Sequence, residues 1–410
     1  MAWIKTNWAW LLIFSFLVLL PTKTGFNIAF GVMAVLGLLR VIQTPSAVTE
    51  NERVQLMLLL FLLIWIPMLL ALPDATNIEH SFLTVLKFVR FPLAGIFMVL
   101  VLQEPENQNR LLLAAAALCL FWCFDALVQF FIGVNLFGHE SSERRLQGMF
   151  YKYRLGICLS VTLPIVILAV QNLRGRWPNI WLVLTLPITV ILMTGSRSAW
   201  LMMIVVSLAY GILALSNQGL QAFSKRTGIK ILVVITLGSL LAIQFPGLYK
   251  RAEQTAQIFS TDRETINTAT AFRLSIWEPA LNIAKAHWIN GIGPRSFRYE
   301  FVETTPPENF WMKRTPPGVT HPHLTALEIF VETGIIGFIG YLWLLCFIFF
   351  RTWHHRQGNA RVAIGLCVCV ALFPLNVHMA TYGSFWSSIT WWFILLWISV
   401  IPQANKHLSR

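Results

Sequence analysis

Two histidines, His321 and His323, flank Pro322 in the stretch HPHLTALEIFVETG, where a long polar segment gives way to an apolar one. Imidazole titrates nearest to neutral pH, so a histidine at such a water boundary can stay neutral and accept a proton. Counting from His323, Leu327, Phe330 and Gly334 follow at four, seven and eleven, while Glu332 falls at nine, on a different helical face. Glu332 is therefore not expected to orient the imidazole; pairing with an arginine from a neighbouring helix is the expectation instead. Pro322 fits the first turn of the helix, where its missing N–H costs little.

A base needs a reaction in which something leaves, and arginines stabilise a departing anion. Arg197, in TGSRSAW, stands just inside the start of an apolar helix, where free amides and a guanidinium favour phosphate. The polar segments add Arg144, Arg145, Lys152 and Arg154, then Arg273, Arg295 and Arg298. Together these describe an outward-facing cationic pocket bounded by apolar helices, suited to a diphosphate on a long hydrocarbon tail.

Further charges lie inside apolar runs, where each costs about 2.5–3.5 kcal/mol at a helix centre and so asks for a partner or a task. Lys87 and Arg90 are three apart in TVLKFVRFP, and Asp125 lies in FWCFDALVQ with Gln129 one turn on. Their depths suit a salt bridge between neighbouring helices. One acid cannot neutralise two bases, so the other expectation is a positive charge left facing a cavity.

The elements that must carry these groups are membrane helices. The 410 residues are 56% hydrophobic and only 12% charged, where a soluble domain is nearer a quarter charged. Apolar runs long enough to cross hydrocarbon can be drawn at about 8–21, 26–42, 55–72, 82–102, 111–131, 155–171, 179–194, 197–215, 230–245, 324–350, 362–380 and 385–402. The expected fold is all-α, a polytopic membrane helix bundle of about 12 transmembrane helices with one large, partly helical loop on the outer face. Its divisions are 1–245 for helices one to nine, 246–322 for a lid-like loop, and 323–410 for helices ten to twelve. Within the loop, Ile276, Trp277, Ala280, Ile283 and Ala284 recur at helical spacing, and INGIGPRSF stops that helix with two glycines and a proline.

The net charge of +13 is not a nucleic-acid signature. With the N-terminus inside, Arg174, Arg176, Lys225, Arg226, Lys230, Arg351, Arg356, Arg361, Lys406 and Arg410 all fall on cytoplasmic links, which puts both termini in the cytoplasm. The first span lacks a small-x-small cleavage site and reads as a span, not as a cleaved signal. All six cysteines lie in apolar segments without metal spacing and are expected to be packing residues. Asp262 and Glu264 are isolated in the loop, so neither a metal nor another cofactor is expected.

TGSRSAW, FRLSIWEPALNIAKAHWINGIGPRSF, HLTALEIFVETGIIG and RRLQGMF, in their order along the chain, resemble the signature of the O-antigen ligase and polymerase superfamily, over about residues 120 to 340. The resemblance implies a GT-C type glycosyltransferase of the bacterial inner membrane, with its site facing the periplasm and acting on undecaprenyl-diphosphate-linked glycans. In its register, set by Glu332 and Gly334, His323 is the motif histidine and His321 a neighbour. Leu324 departs from the pattern, which has Asn or a small polar residue after the histidine.

On this basis His323 is the expected general base, with Arg197 and Arg273 stabilising the diphosphate. Arg145 and Arg295 are second contacts and Arg90 a third; Lys87, Asp125, His321 and Glu332 are further substrate-binding candidates. The reaction is expected to be metal-independent and inverting. The first function is O-antigen ligase, transferring polysaccharide to lipid A-core during lipopolysaccharide biosynthesis. The alternatives are an O-antigen polymerase, whose acceptor is another lipid-linked glycan, a protein O-glycosylation ligase and, in a different class, a lipid-linked glycan transporter. Besides donor and acceptor, the implied partners are membrane lipids.

Overall fold

A computed structural model describes residues 2–140, 146–177, 179–218, 229, 232–234, 236–240, 253–354, 359–376 and 379–401. Regular structure among them is helical; an isolated antiparallel bridge joins Val134 and Glu140. In chain order the helices are α1 (Ala2–Leu19), α2 (Phe26–Gln43), α3 (Pro45–Thr49), α4 (Glu52–Leu70), α5 (Ile78–Phe88), α6 (Arg90–Val101), α7 (Pro105–Ile132), α8 (Leu155–Leu173), α9 (Thr185–Met193) and α10 (Arg197–Gln218). Beyond the polar loop's first residues come α11 (Arg263–Ala269), α12 (Leu274–Ala286), α13 (Phe297–Thr304), α14 (Thr325–His354), α15 (Asn359–Ala371) and α16 (Ser384–Ser399).

Seven of the described helical stretches are long and apolar enough to cross a membrane, with α5 and α6 counted as one, and four more are apolar but shorter. The apolar run at 230–245 lies largely outside the described residues, so seven long and four short helices stand where twelve spans are expected. The two halves of the Ile78–Val101 span part at Val89 because Pro92 has no N–H for the carbonyl of Phe88. Lys87 thus lies in the last turn of one half and Arg90 begins the other.

Helix α16 is apolar all round, and every residue from Phe385 to Ser399 is buried. A helix of that composition belongs at the centre of a bundle; α2, α4, α6 and α15 pack around it. Trp386, Trp392 and Trp397 supply much of the core, and their indole N–H groups donate to Ala371 O, Ile13 O and Thr352 Oγ1. Cys119, Cys123, Cys158 and Cys367 are buried in the bundle as expected, while Cys346 is exposed.

The loop has a smaller core of its own. Ile276, Ala280, Ile283 and Ala284 of α12 meet Phe297 and Phe301 of α13 and Leu327 and Val331 of α14. The helical spacing read in the sequence thus marks the face on which the loop sits against α14.

Candidate functional site

Helix α14 is interrupted at Gly334, whose φ of 62° and ψ of −164° are open to glycine alone. A Cβ there would come within 2.0 Å of Ile289 O. The interruption frees backbone groups that the INGIGPRSF turn then satisfies. Ile292 N donates to Val331 O, Gly293 N to Glu332 O, and Ile335 N to Trp288 O at 2.8 Å. The Glu332 carboxylate completes the clamp by accepting the backbone N–H of Arg295 at 2.7 Å. Glu332 therefore engages an arginine, but through its amide and from the loop, not through a guanidinium on a neighbouring helix.

The other side of the same turn is fastened to the 74–81 segment. Thr76 N donates to Ile292 O, Ser81 Oγ to Pro294 O at 2.9 Å, and Asn290 Nδ2 to Asp74 Oδ2 at 2.8 Å. Sequence reasoning took the two glycines and the proline as a helix stop. They also allow a backbone to wedge between two others: a Cβ on Gly291 would lie 2.5 Å from Glu332 C.

The histidines precede α14 in a turn, and the helix begins at Thr325. Pro322 therefore lies outside the first helical turn, contrary to expectation; it is buried, and its carbonyl accepts Trp277 Nε1–H of α12 at 3.1 Å. His323 has φ 54°, uncommon for a residue with a Cβ. The rings of His321 and His323 lie 3.8 Å apart, centroid to centroid, with His321 Nδ1 3.0 Å from Thr320 Oγ1. His321 is buried and His323 half-buried, so His323 is the ring more open to a substrate.

Leu324, where the family pattern has a small polar residue, has a structural account. The amides of Thr325 and Ala326 donate to Asn376 O and Pro374 O, so the helix start needs no side-chain cap. The leucine packs instead against the loop core.

The arginines fall into two groups. Arg197 opens α10 and donates through Nη1 to Ala269 O, tying that helix to the end of α11. Arg273 follows four residues later at the N-cap of α12, one turn before Trp277, and so close in sequence to the group that holds the histidine turn. The second group lines a cavity of about 190 Å³: Lys87, Arg90, Arg295 and Arg298. Arg90 Nη2 donates to Ser388 Oγ at 3.1 Å, and Arg295 Nη1 reaches Thr320 O at 3.5 Å. Burial holds the Arg298 guanidinium below its usual range, and the Arg295 charge adds to the shift; an arginine remains protonated at neutral pH.

Two expectations are corrected. Asp125 is fully buried and accepts from Asn135 Nδ2 at 3.2 Å and Leu136 N at 3.0 Å, anchoring the chain that follows its own helix. Among the described residues no ion pair joins it to Lys87 or Arg90, and its burial leaves it no surface for substrate. Gln129, one turn on, accepts Gly148 N–H at 2.8 Å, so the pair acts as a clasp for this loop. Arg144 and Arg145 lie outside the described residues.

Three participants escaped the sequence reading. His80 and Tyr382 line the cavity, and Glu328 is fully buried one turn before Glu332. The spacing of Glu328 and Glu332, four apart, was the available signal; His80 had none, because only the fold brings the 74–81 segment to Arg298. Among the described residues no cluster of three or more His, Cys, Asp or Glu is arranged to hold a metal.

The fold and site define a multi-pass helical membrane protein with a cationic site beneath a docked polar loop. Residues 180–342 match the family model described as O-antigen ligase, which supports a place in the O-antigen ligase superfamily. The match spans Arg197, Arg273, Arg295, His321 and His323. No curated protein matches the chain.

Proposed function

We propose that the protein is an O-antigen ligase of the bacterial inner membrane, with both termini cytoplasmic, transferring glycan from undecaprenyl diphosphate to lipid A-core at the periplasmic face. The observation that carries this reading is the turn bearing His321 and His323. It is held at Pro322 by Trp277, one helical turn from Arg273, and at Thr320 by Arg295, within the segment that matches the family.

The chemistry is a single displacement. An acceptor hydroxyl attacks the anomeric carbon and the new C–O bond forms as the bond to the diphosphate breaks. The hydroxyl proton passes to His323 and the bonding electron pair leaves with the diphosphate, so the anomeric configuration inverts. Arg197 and Arg273 stabilise the departing charge, a role a divalent metal takes in other phosphate chemistry, and the reaction proceeds without one. Arg145 is a further diphosphate contact, and Lys87, Arg90 and Arg295 bind substrate anions. Glu332 positions Arg295, and His321 is a neighbour of the base.

His323→Ala in the native host tests this. A ligase predicts bare core with long polymer stranded on the lipid carrier. Core capped by single repeats would favour a polymerase, and glycan trapped on the cytoplasmic side a transporter. Intact core polysaccharide beside an unglycosylated protein would favour a protein ligase, and normal surface polymer in a well-expressed variant overturns the catalytic assignment.

A further inference from the structure

The cavity at the junction of α5 and α6 collects more positive charge than the donor's diphosphate accounts for. Lys87, Arg90, Arg295 and Arg298 line it, and Arg197 and Arg273 do not. None of the four lining cations forms an ion pair among the described residues. The Nε atoms of Arg90 and Arg298 are buried without a hydrogen-bond partner. Like charges gathered around one cavity repel one another, as Arg295 and Arg298 do, a cost that an anionic ligand removes.

The rest of the lining suits the same ligand. Thr84 and Ser384 contribute hydroxyls, and the N-terminus of α16 opens at the cavity wall, where Gly383 and Ser384 lie. The amides and dipole of that 16-residue helix add to the attraction for an anion. Of the acids around it, Glu328 and Glu332 are buried and do not line the cavity, one Glu332 oxygen being committed to the Arg295 amide; Glu79, beside His80, does not line it either. At about 190 Å³ the space is below the ~300–1,000 Å³ of drug-sized sites. It fits a phosphoryl group better than a prenyl chain or a run of sugars.

We infer that this cavity is a second anion site, binding a phosphate substituent of the glycolipid acceptor, while the donor's diphosphate falls to Arg197 and Arg273. The inference rests on the ligase reading and changes one part of it: Arg90 and Arg295 leave the list of donor contacts. Arg295 also reaches the histidine turn at Thr320. A phosphate held by the cavity therefore anchors the acceptor beside the base, with its hydroxyl free to meet the donor.

The test uses the full chain in lipid nanodiscs, with acceptor in native and enzymatically dephosphorylated forms. The double variant Lys87→Gln, Arg298→Gln is expected to raise KM for the phosphorylated acceptor about tenfold, the worth of one or two charge-assisted hydrogen bonds. KM for the donor and for the stripped acceptor should not change, and Arg298→Lys should recover part of the loss. A rise in donor KM, or an equal rise with both acceptors, overturns the inference. Inorganic phosphate provides an arm that does not depend on glycosyl transfer. Calorimetry should find a phosphate site lost in the Lys87→Gln, Arg298→Gln protein and kept when Arg197 and Arg273 are both changed to Gln. A site lost in neither or in both overturns the assignment even if transfer itself is never observed. Phosphate should also compete with acceptor and not with donor; competition with donor alone marks the cavity as a leaving-group site.

Discussion

The two halves of the long polar loop are held in different ways. The second half, from Trp288 to Thr304, is bound by backbone: its amides and carbonyls bond to the broken α14 and to the 74–81 segment, and Ile292, Phe297 and Phe301 have no exposed surface. The described residues before α12, from Glu253 to Phe272, form a first half bound by a few side chains. Phe259 is 90% exposed, α11 buries Ala269 alone, and the chief ties are Arg197 to Ala269 O and Trp311 Nε1 to Phe272 O. Backbone bonds to a rigid helix leave little freedom, whereas a peripheral segment with few buried contacts opens at low cost. Arg295 and Arg298 are thus fixed in place, while Arg197 is tied to the looser part at Ala269.

Substitutions at the two halves should therefore differ in kind. The largest effect belongs to Gly334→Ala, which places a Cβ against Ile289 O and requires a backbone angle closed to alanine. A loss of more than about 3 kcal/mol is expected, seen as a large fall in the unfolding temperature of the purified chain. An unchanged unfolding temperature would remove the claim that the second half is fixed by the break.

Trp277→Phe comes next and probes the join between the halves. It removes the hydrogen bond to Pro322 O, worth about 1 kcal/mol. Turnover should fall about tenfold through misplacement of His323, with donor KM little changed. A change in donor KM at constant turnover would mean that Trp277 serves the diphosphate and not the histidine turn.

The smallest effect is expected at Arg263→Gln. It breaks an ion pair with Glu278 whose side chains are 75% and 56% exposed, and such pairs contribute within about 0.5 kcal/mol. Stability and activity should match the parent within error. A marked loss of activity at constant stability would show that the first half has a defined closed position.

The sequence by itself determined the membrane class, because composition and the length of apolar runs are enough to require lipid-facing helices. It also determined the helical face of α12, since that follows from local spacing. It misplaced Asp125, because matching depth along two helices says nothing of which helices are neighbours; α7 packs on α1, α8 and α9, away from α5 and α6. It also missed His80 and Tyr382, which are far in sequence from Arg295 and Arg298 and meet them only at the cavity. The break in α14 was decided by tertiary structure as well. A glycine in an apolar run is unremarkable until another backbone needs the carbonyls of Val331 and Glu332. Long-range contact, not local preference, settles where that need arises, and here it carries Arg295 to the histidine turn.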